Sequence, residues 1–148
     1  MRILIIIAAV LLVPLIAHGE DAAPVSGALE IKITNIENGS GIIYIAILDS
    51  AEDWLKSDSE SKPFRDATQT VSSTDDLLVS IGDLPPGKYA ISIFHDLNGD
   101  AELDTNFVGF PKEPFGFSAP MGKFGPPKFD EAAIEFSGEN TSVEISLN

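Results

Sequence analysis

Residues 84–104 read LPPGKYAISIFHDLNGDAELD, and how this stretch divides decides the fold. Pro85-Pro86-Gly87 is a turn signal: Pro86 presets φ, and Gly87 is expected to take the positive φ of a type II turn. Residues 88–95 then alternate, placing Tyr89, Ile91, Ile93 and His95 on one side of the chain. A period of two belongs to a strand, because successive side chains of a pleated backbone point to opposite faces. The run ends at Asp96-Leu-Asn98-Gly-Asp100, where alternation stops and oxygen-bearing side chains take over.

The same period recurs outward in both directions. Leu29, Ile31 and Ile33 alternate with polar residues, and residues 42–48 are apolar at every position, as in a central strand covered on both faces. Residues 68–73 and 77–81 read as two further strands. Ala132, Ile134 and Phe136, a turn at 138–140, and Val143, Ile145 and Leu147 read as a closing hairpin. Residues 50–56 suggest one or two helical turns, with Ser50 as cap and Trp54 and Leu55 facing inward. About seven strands, short turns and almost no helix describe an all-β protein, an antiparallel Greek-key β-sandwich.

Residues 98–129 break the pattern. This long Gly/Pro/Phe-rich loop holds six of the nine Phe residues, among them Phe107, Phe110, Phe115 and Phe117. Disordered segments are poor in aromatics, so the loop is expected to be ordered and to cover the outer face of residues 42–48. Its rings either anchor it by burial, at roughly 1.5–3 kcal/mol each, or stand exposed to stack on a sugar or a protein partner.

The N-terminus has the form of a secretory leader: Met1-Arg2, an apolar run over 3–16, and Ala17-His18-Gly19 as the cleavage signal. The run is interrupted by Pro14 and falls short of the roughly 20 residues that span a bilayer, so no transmembrane segment is expected after cleavage. The expected division is a signal peptide over 1–19 and a single domain over 20–148, exported to the periplasm or the medium. The 148-residue chain has no Cys, so its core alone must hold it together. A formal charge of −14 disfavours nucleic acid and anionic membrane as partners.

The one stretch with ligand-like spacing is Asp96-x-Asn98-x-Asp100-x-x-x-Asp104. Calcium loops place oxygens at positions 1, 3, 5, 7 and 9, which here are Asp96, Asn98, Asp100, the Glu102 carbonyl and Asp104. Position 6, usually Gly, is Ala101, and position 12, which should supply a bidentate Glu, is Phe107. A site without that ligand belongs to the weak class, roughly 10⁻⁴–10⁻³ M. The alternative is an acidic turn that satisfies itself, since Asp and Asn hydrogen-bond their own backbone. His95 has two readings also: a general base or metal ligand beside Asp96, or a tie between strand end and loop. No nucleophile elbow, His-Glu-x-x-His pair or phosphate-binding glycine loop accompanies it.

Several runs together carry a resemblance: residues 41–48, Leu84-Pro-Pro-Gly-Lys-Tyr-Ala90, Phe94-His-Asp-Leu-Asn-Gly-Asp100, Leu103-Asp-Thr-Asn-Phe-Val-Gly109 and Pro111-Lys-Glu-Pro-Phe-Gly-Phe-Ser118. They resemble a family of exported bacterial proteins catalogued as domain of unknown function 2141. The resemblance covers nearly the whole mature chain. It implies a transthyretin-like (prealbumin-like) sandwich in the bacterial envelope or secretome, and supplies no catalytic residues to carry over. The family's loop typically carries a second Gly where this chain has Ala101. The expectation is therefore a non-enzymatic binding or accessory module with an unidentified protein or glycan partner. The rivals are a hydrolase using His95 with nearby carboxylates, and a purely structural envelope protein.

Overall fold

Each alternating strand has an apolar face that only another sheet can cover, and the chain answers with two layers. The computed structural model describes residues 27–56 and 60–148; the expected leader lies outside them. Strand β1 is Gly27–Thr34, β2 Ile42–Leu48, β3 Arg65–Thr70, β4 Leu77–Leu84, β5 Gly87–Asp96, β6 Phe115–Phe117, β7 Ile134–Phe136 and β8 Thr141–Ser146, with one short helix, α1, at Phe129–Ala132. One sheet has the order β4-β1-β8 and the other β3-β2-β5-β6, with β7 joining β5. The β-sandwich is thus as the alternation indicates, with eight strands among the described residues where about seven were expected. No helix among the described residues is long and apolar enough to cross a membrane.

Between the sheets lie Leu29, Ile31 and Ile33 of β1, Ile43, Ile45 and Ile47 of β2, Val79 and Ile81 of β4, and Tyr89, Ile91 and Ile93 of β5. The layer is apolar except for His95, so burial of aliphatic area is its main stabilising term.

Local expectations are corrected at three places. The last two strands are not a hairpin: β7 pairs with β5 in one sheet, while β8 runs parallel to β1 in the other. Between them the chain changes layers at Gly138, whose φ is 91°. Gly87 does not take a positive φ; Asp83 does, at 54°. Gly87 instead leaves room for the ring of Tyr89, whose hydroxyl donates to the carbonyl of Pro85 at 2.9 Å. Finally, residues 51–55 form turns without an α-helix, and Leu55 is 45 % exposed at a φ of 58°, while Trp54 does pack inward.

Candidate functional site

The polar loop after β5 is built around one carboxylate. Asp96, only 1 % exposed, ends the strand. Its Oδ1 accepts the N–H of Gly99 at 2.6 Å and of Asn98 at 3.2 Å, and its Oδ2 accepts the N–H of Ala101 at 2.9 Å. Burial pushes this carboxyl up, but the N–H groups of Gly99, Ala101, Asn98 and Asp100 together outweigh it and hold the group below its ordinary value. Accepting from Ala101 requires a sharp reversal, and Ala101 supplies it at a φ of 65°. The glycine-like conformation is present although the glycine is not.

Asn98 occupies the middle of the loop. Its Oδ1 accepts the N–H of Asp100 at 2.9 Å, and its Nδ2 donates to Asp100 Oδ2 at 2.9 Å and to Asp104 Oδ2 at 3.1 Å. The Glu102 N–H donates to Asp100 Oδ1 at 2.9 Å, leaving the Glu102 side chain exposed. The structure therefore brings Asp96, Asn98, Asp100 and Asp104 together, with an amide nitrogen bridging two of the carboxylates. No three His, Asp or Glu side chains among the described residues converge as metal ligands.

Sequence reasoning missed the residue that closes this loop. Glu113, 6 % exposed, accepts the N–H of Leu97 at 2.8 Å through Oε1 and that of Asp104 at 3.1 Å through Oε2. Beside it the Lys112 N–H donates to the Asp104 carbonyl at 2.8 Å. One carboxylate thus clasps both ends of the loop to the start of β6. The available signal was a lone acid in a stretch otherwise apolar: from 105 to 127 the charged residues are Lys112, Glu113 and Lys123.

His95 lies on the other side of the sheet. It is fully buried on the inner face, and its Nε2 is 2.7 Å from the Ser40 carbonyl. A carbonyl only accepts, so Nε2 carries the hydrogen, and Nδ1 is left buried without a partner. Gly41 makes the approach feasible: its φ is 101°, and a Cβ there would collide with the Asp96 carbonyl. His95 and its neighbour Asp96 act in different places because adjacent strand residues face opposite ways.

The outer face of the same sheet carries Tyr44, Ala46, Ser92 and Phe94, with the rings of Tyr44 and Phe94 stacked at 5.0 Å. The Phe-rich loop covers it incompletely. Phe115 and Phe129 are buried and Phe117 half-buried, while Phe107, Phe110 and Phe124 are exposed by 100 %, 59 % and 97 %. The two readings of the Phe residues are thus divided between anchors and exposed rings. Trp54 locks one end of the cover, with its indole donating to the Pro127 carbonyl at 2.8 Å and its ring edge-on to Phe117 at 5.7 Å. Between sheet and cover runs a groove of about 420 Å³, lined by Ala46, Leu48, Phe94, Leu103, Phe115 and Phe117 among others.

The sequence matches, over residues 31–144, the family described as "Uncharacterized protein conserved in bacteria (DUF2141)". The chain belongs to this family. No curated protein and no solved structure matches it. For this DUF2141 member the matched region runs from β1 into β8 and so takes in the clasp, the groove and the whole Phe-rich loop.

Proposed function

We propose that this DUF2141 member is an exported binding module, working in the periplasm or outside the cell, that takes a small apolar or amphipathic ligand in its outer groove and performs no reaction on it. The observation carrying this is the lining. Around about 420 Å³ the walls are Ala, Leu, Ile, Met, Pro and Phe, with Ser61, Ser92 and Thr105 as sparse hydroxyls. Lys56 is the one titratable side chain among the lining residues, and Asp53 holds its ammonium at 3.1 Å. Acid–base or nucleophilic chemistry needs a group with a matched pKa within reach of the substrate, whereas retention of an apolar body needs area and volume, which this groove offers within the usual range of roughly 300–1,000 Å³. The inward-facing, fully buried His95 lends nothing to a hydrolase reading.

In this reading the acidic loop is a clasp that fixes where the cover begins. Calcium distinguishes the two possibilities for it. A melting temperature that rises with millimolar calcium would add a weak cation site on Asp96, Asn98, Asp100, Asp104 and the Glu102 carbonyl; a flat response leaves the loop self-satisfied.

The groove is testable because the chain has a single Trp, and its ring touches the groove wall through Phe117. Titration with the apolar dye N-phenylnaphthylamine is expected to give saturable dye emission and a change in Trp54 emission. Ala46→Phe, which fills the floor from β2, is expected to abolish both. Equal responses from the parent and the filled variant would overturn the reading.

A further inference from the structure

Two tight turns rise at the rim of the groove and push their apolar side chains into solvent. In the first, the Gly109 N–H donates to the Asn106 carbonyl at 2.9 Å, which puts Phe107 and Val108 at the tip, 100 % and 70 % exposed. In the second, Gly122 and Gly125 exchange backbone hydrogen bonds at 2.9 and 3.4 Å, which puts Lys123 and Phe124 at the tip. The central residues of a turn point away from its stems, so these rings are held outward. Gly109 and Phe110 from one turn and Met121 and Gly125 from the other line the groove. Both tips therefore stand at one mouth.

We propose that these tips seat the protein on a phospholipid bilayer surface, with Phe107, Val108 and Phe124 entering the acyl boundary and Lys112 and Lys123 lying at the level of the headgroup phosphates. Three observations select lipid over a protein partner or a second copy. First, four of the five N–H groups of residues 106–110 are paired within the first turn. The N–H of Asn106 donates to the Phe110 carbonyl, that of Gly109 to the Asn106 carbonyl, and those of Val108 and Phe110 to Asn106 Oδ1. An apolar medium demands such internal pairing; a polar protein rim does not. Second, the charge is local and of the right sign. From 105 to 127 the exposed charged residues are Lys112 and Lys123, so these turns carry positive charge locally on a chain of −14, which favours their approach to phosphate over that of the acidic segments. Third, the tips are convex. A bilayer receives a protruding ring without a matching socket, and aromatic rings beside lysines are the usual interfacial anchors. The groove reading enters only in naming what would cross this surface, an apolar ligand passing between lipid and groove without traversing water.

The test is co-sedimentation of the protein purified after export, its N-terminus established by mass, with vesicles of phosphatidylcholine alone or mixed with phosphatidylglycerol. The parent protein is expected to pellet with both. The double variant Phe107→Ser/Phe124→Ser is expected to bind about tenfold more weakly or less, because interfacial binding scales with the apolar area buried, with an unchanged melting temperature. Lys123→Glu should weaken binding to the mixed vesicles more than to phosphatidylcholine. Ala46→Phe should pellet normally while losing the dye, so docking and groove fail separately. A parent protein that stays in the supernatant with both vesicles, a double variant that pellets as well as the parent, or an ultracentrifugal dimer that the double substitution dissociates would each overturn the proposal.

Discussion

The two faces of β5 are made from the same ten residues, Gly87–Asp96, and obey different rules. Inward, Tyr89, Ile91 and Ile93 meet the second sheet and are at most 3 % exposed. Outward, Ser92 and Phe94 stay half-buried under a loop that leaves about 420 Å³ open above them. The inner layer is closed by two sheets of paired strands, and its aliphatic side chains are almost fully buried. The outer cover is tied down at separate places, by the Glu113 clasp, by β6 on the edge of β5 and by the Trp54 indole on Pro127, and leaves a groove between these ties. Stability is concentrated on one face and vacancy on the other, which is the division expected of a rigid platform carrying a binding surface.

The sharpest way to break this comparison is to truncate neighbours. Ile91→Ala, from a fully buried site, should cost about 3–4 kcal/mol. Ser92→Ala, one residue along and facing the groove, should stay within about 0.5 kcal/mol. Urea denaturation of the two variants reads the difference directly, and equal losses would show that the outer face contributes to stability no less than the inner.

Next comes the clasp. Glu113→Ala removes the acceptor for two backbone N–H groups, those of Leu97 and Asp104, and should cost about 2–3 kcal/mol. The loss should be accompanied by weaker dye binding, because residues 103–111 lose the anchor that sets the groove wall. Loss of stability with dye binding intact would make the clasp independent of the groove.

A smaller effect is linked to pH. The carboxyl of Asp96 is held below its ordinary 3.8, so the unfolded chain binds this proton more readily than the folded one. Its contribution is then complete above 3.8 and is lost as pH falls through the lower, folded value. The difference in melting temperature between the parent and Asp96→Asn should be largest near neutrality and shrink below pH 3.8. A difference that holds constant into strong acid would mean the loop N–H groups do not depend on the charge.

Much of the inner face was legible in the sequence because alternation reports burial directly: Leu29, Ile31, Ile33, Tyr89, Ile91 and Ile93 all lie where their period put them. Pairing was less legible. Alternation marks Phe136 and Val143 as strand residues but carries no information on which sheet each joins, and β7 and β8 were separated by a crossing at Gly138. On the outer face, the grouping of Asp96, Asn98, Asp100 and Asp104 followed from spacing alone, since the loop is local. Glu113 could not follow from spacing, because it is brought to Leu97 by β6 returning alongside β5. The exposure of Phe107 was readable in principle: Asn106 and Gly109 bracket it as turn residues, and turn chemistry outranks hydrophobicity when a side chain sits at the tip.

The smallest effect bears on why the clasp tolerates Ala101. At a φ of 65° an L-residue with a Cβ is disfavoured by about 1–2 kcal/mol, while a glycine at the same position gives the unfolded chain extra freedom worth roughly 0.5–1 kcal/mol. The balance favours Ala101→Gly by about 0.5–1 kcal/mol, provided that the N–H to Asp96 Oδ2 at 2.9 Å is retained. A raised melting temperature would show that the reversal is imposed on Ala101 by Asp96, whose acceptors over-determine the local backbone. An unchanged or lowered value would mean instead that the alanine methyl contributes packing against the groove-side residues Tyr44 and Phe94, with which it shares a surface depression. Clasp and outer face would then be one unit, and the two regions less separable than their burial implies.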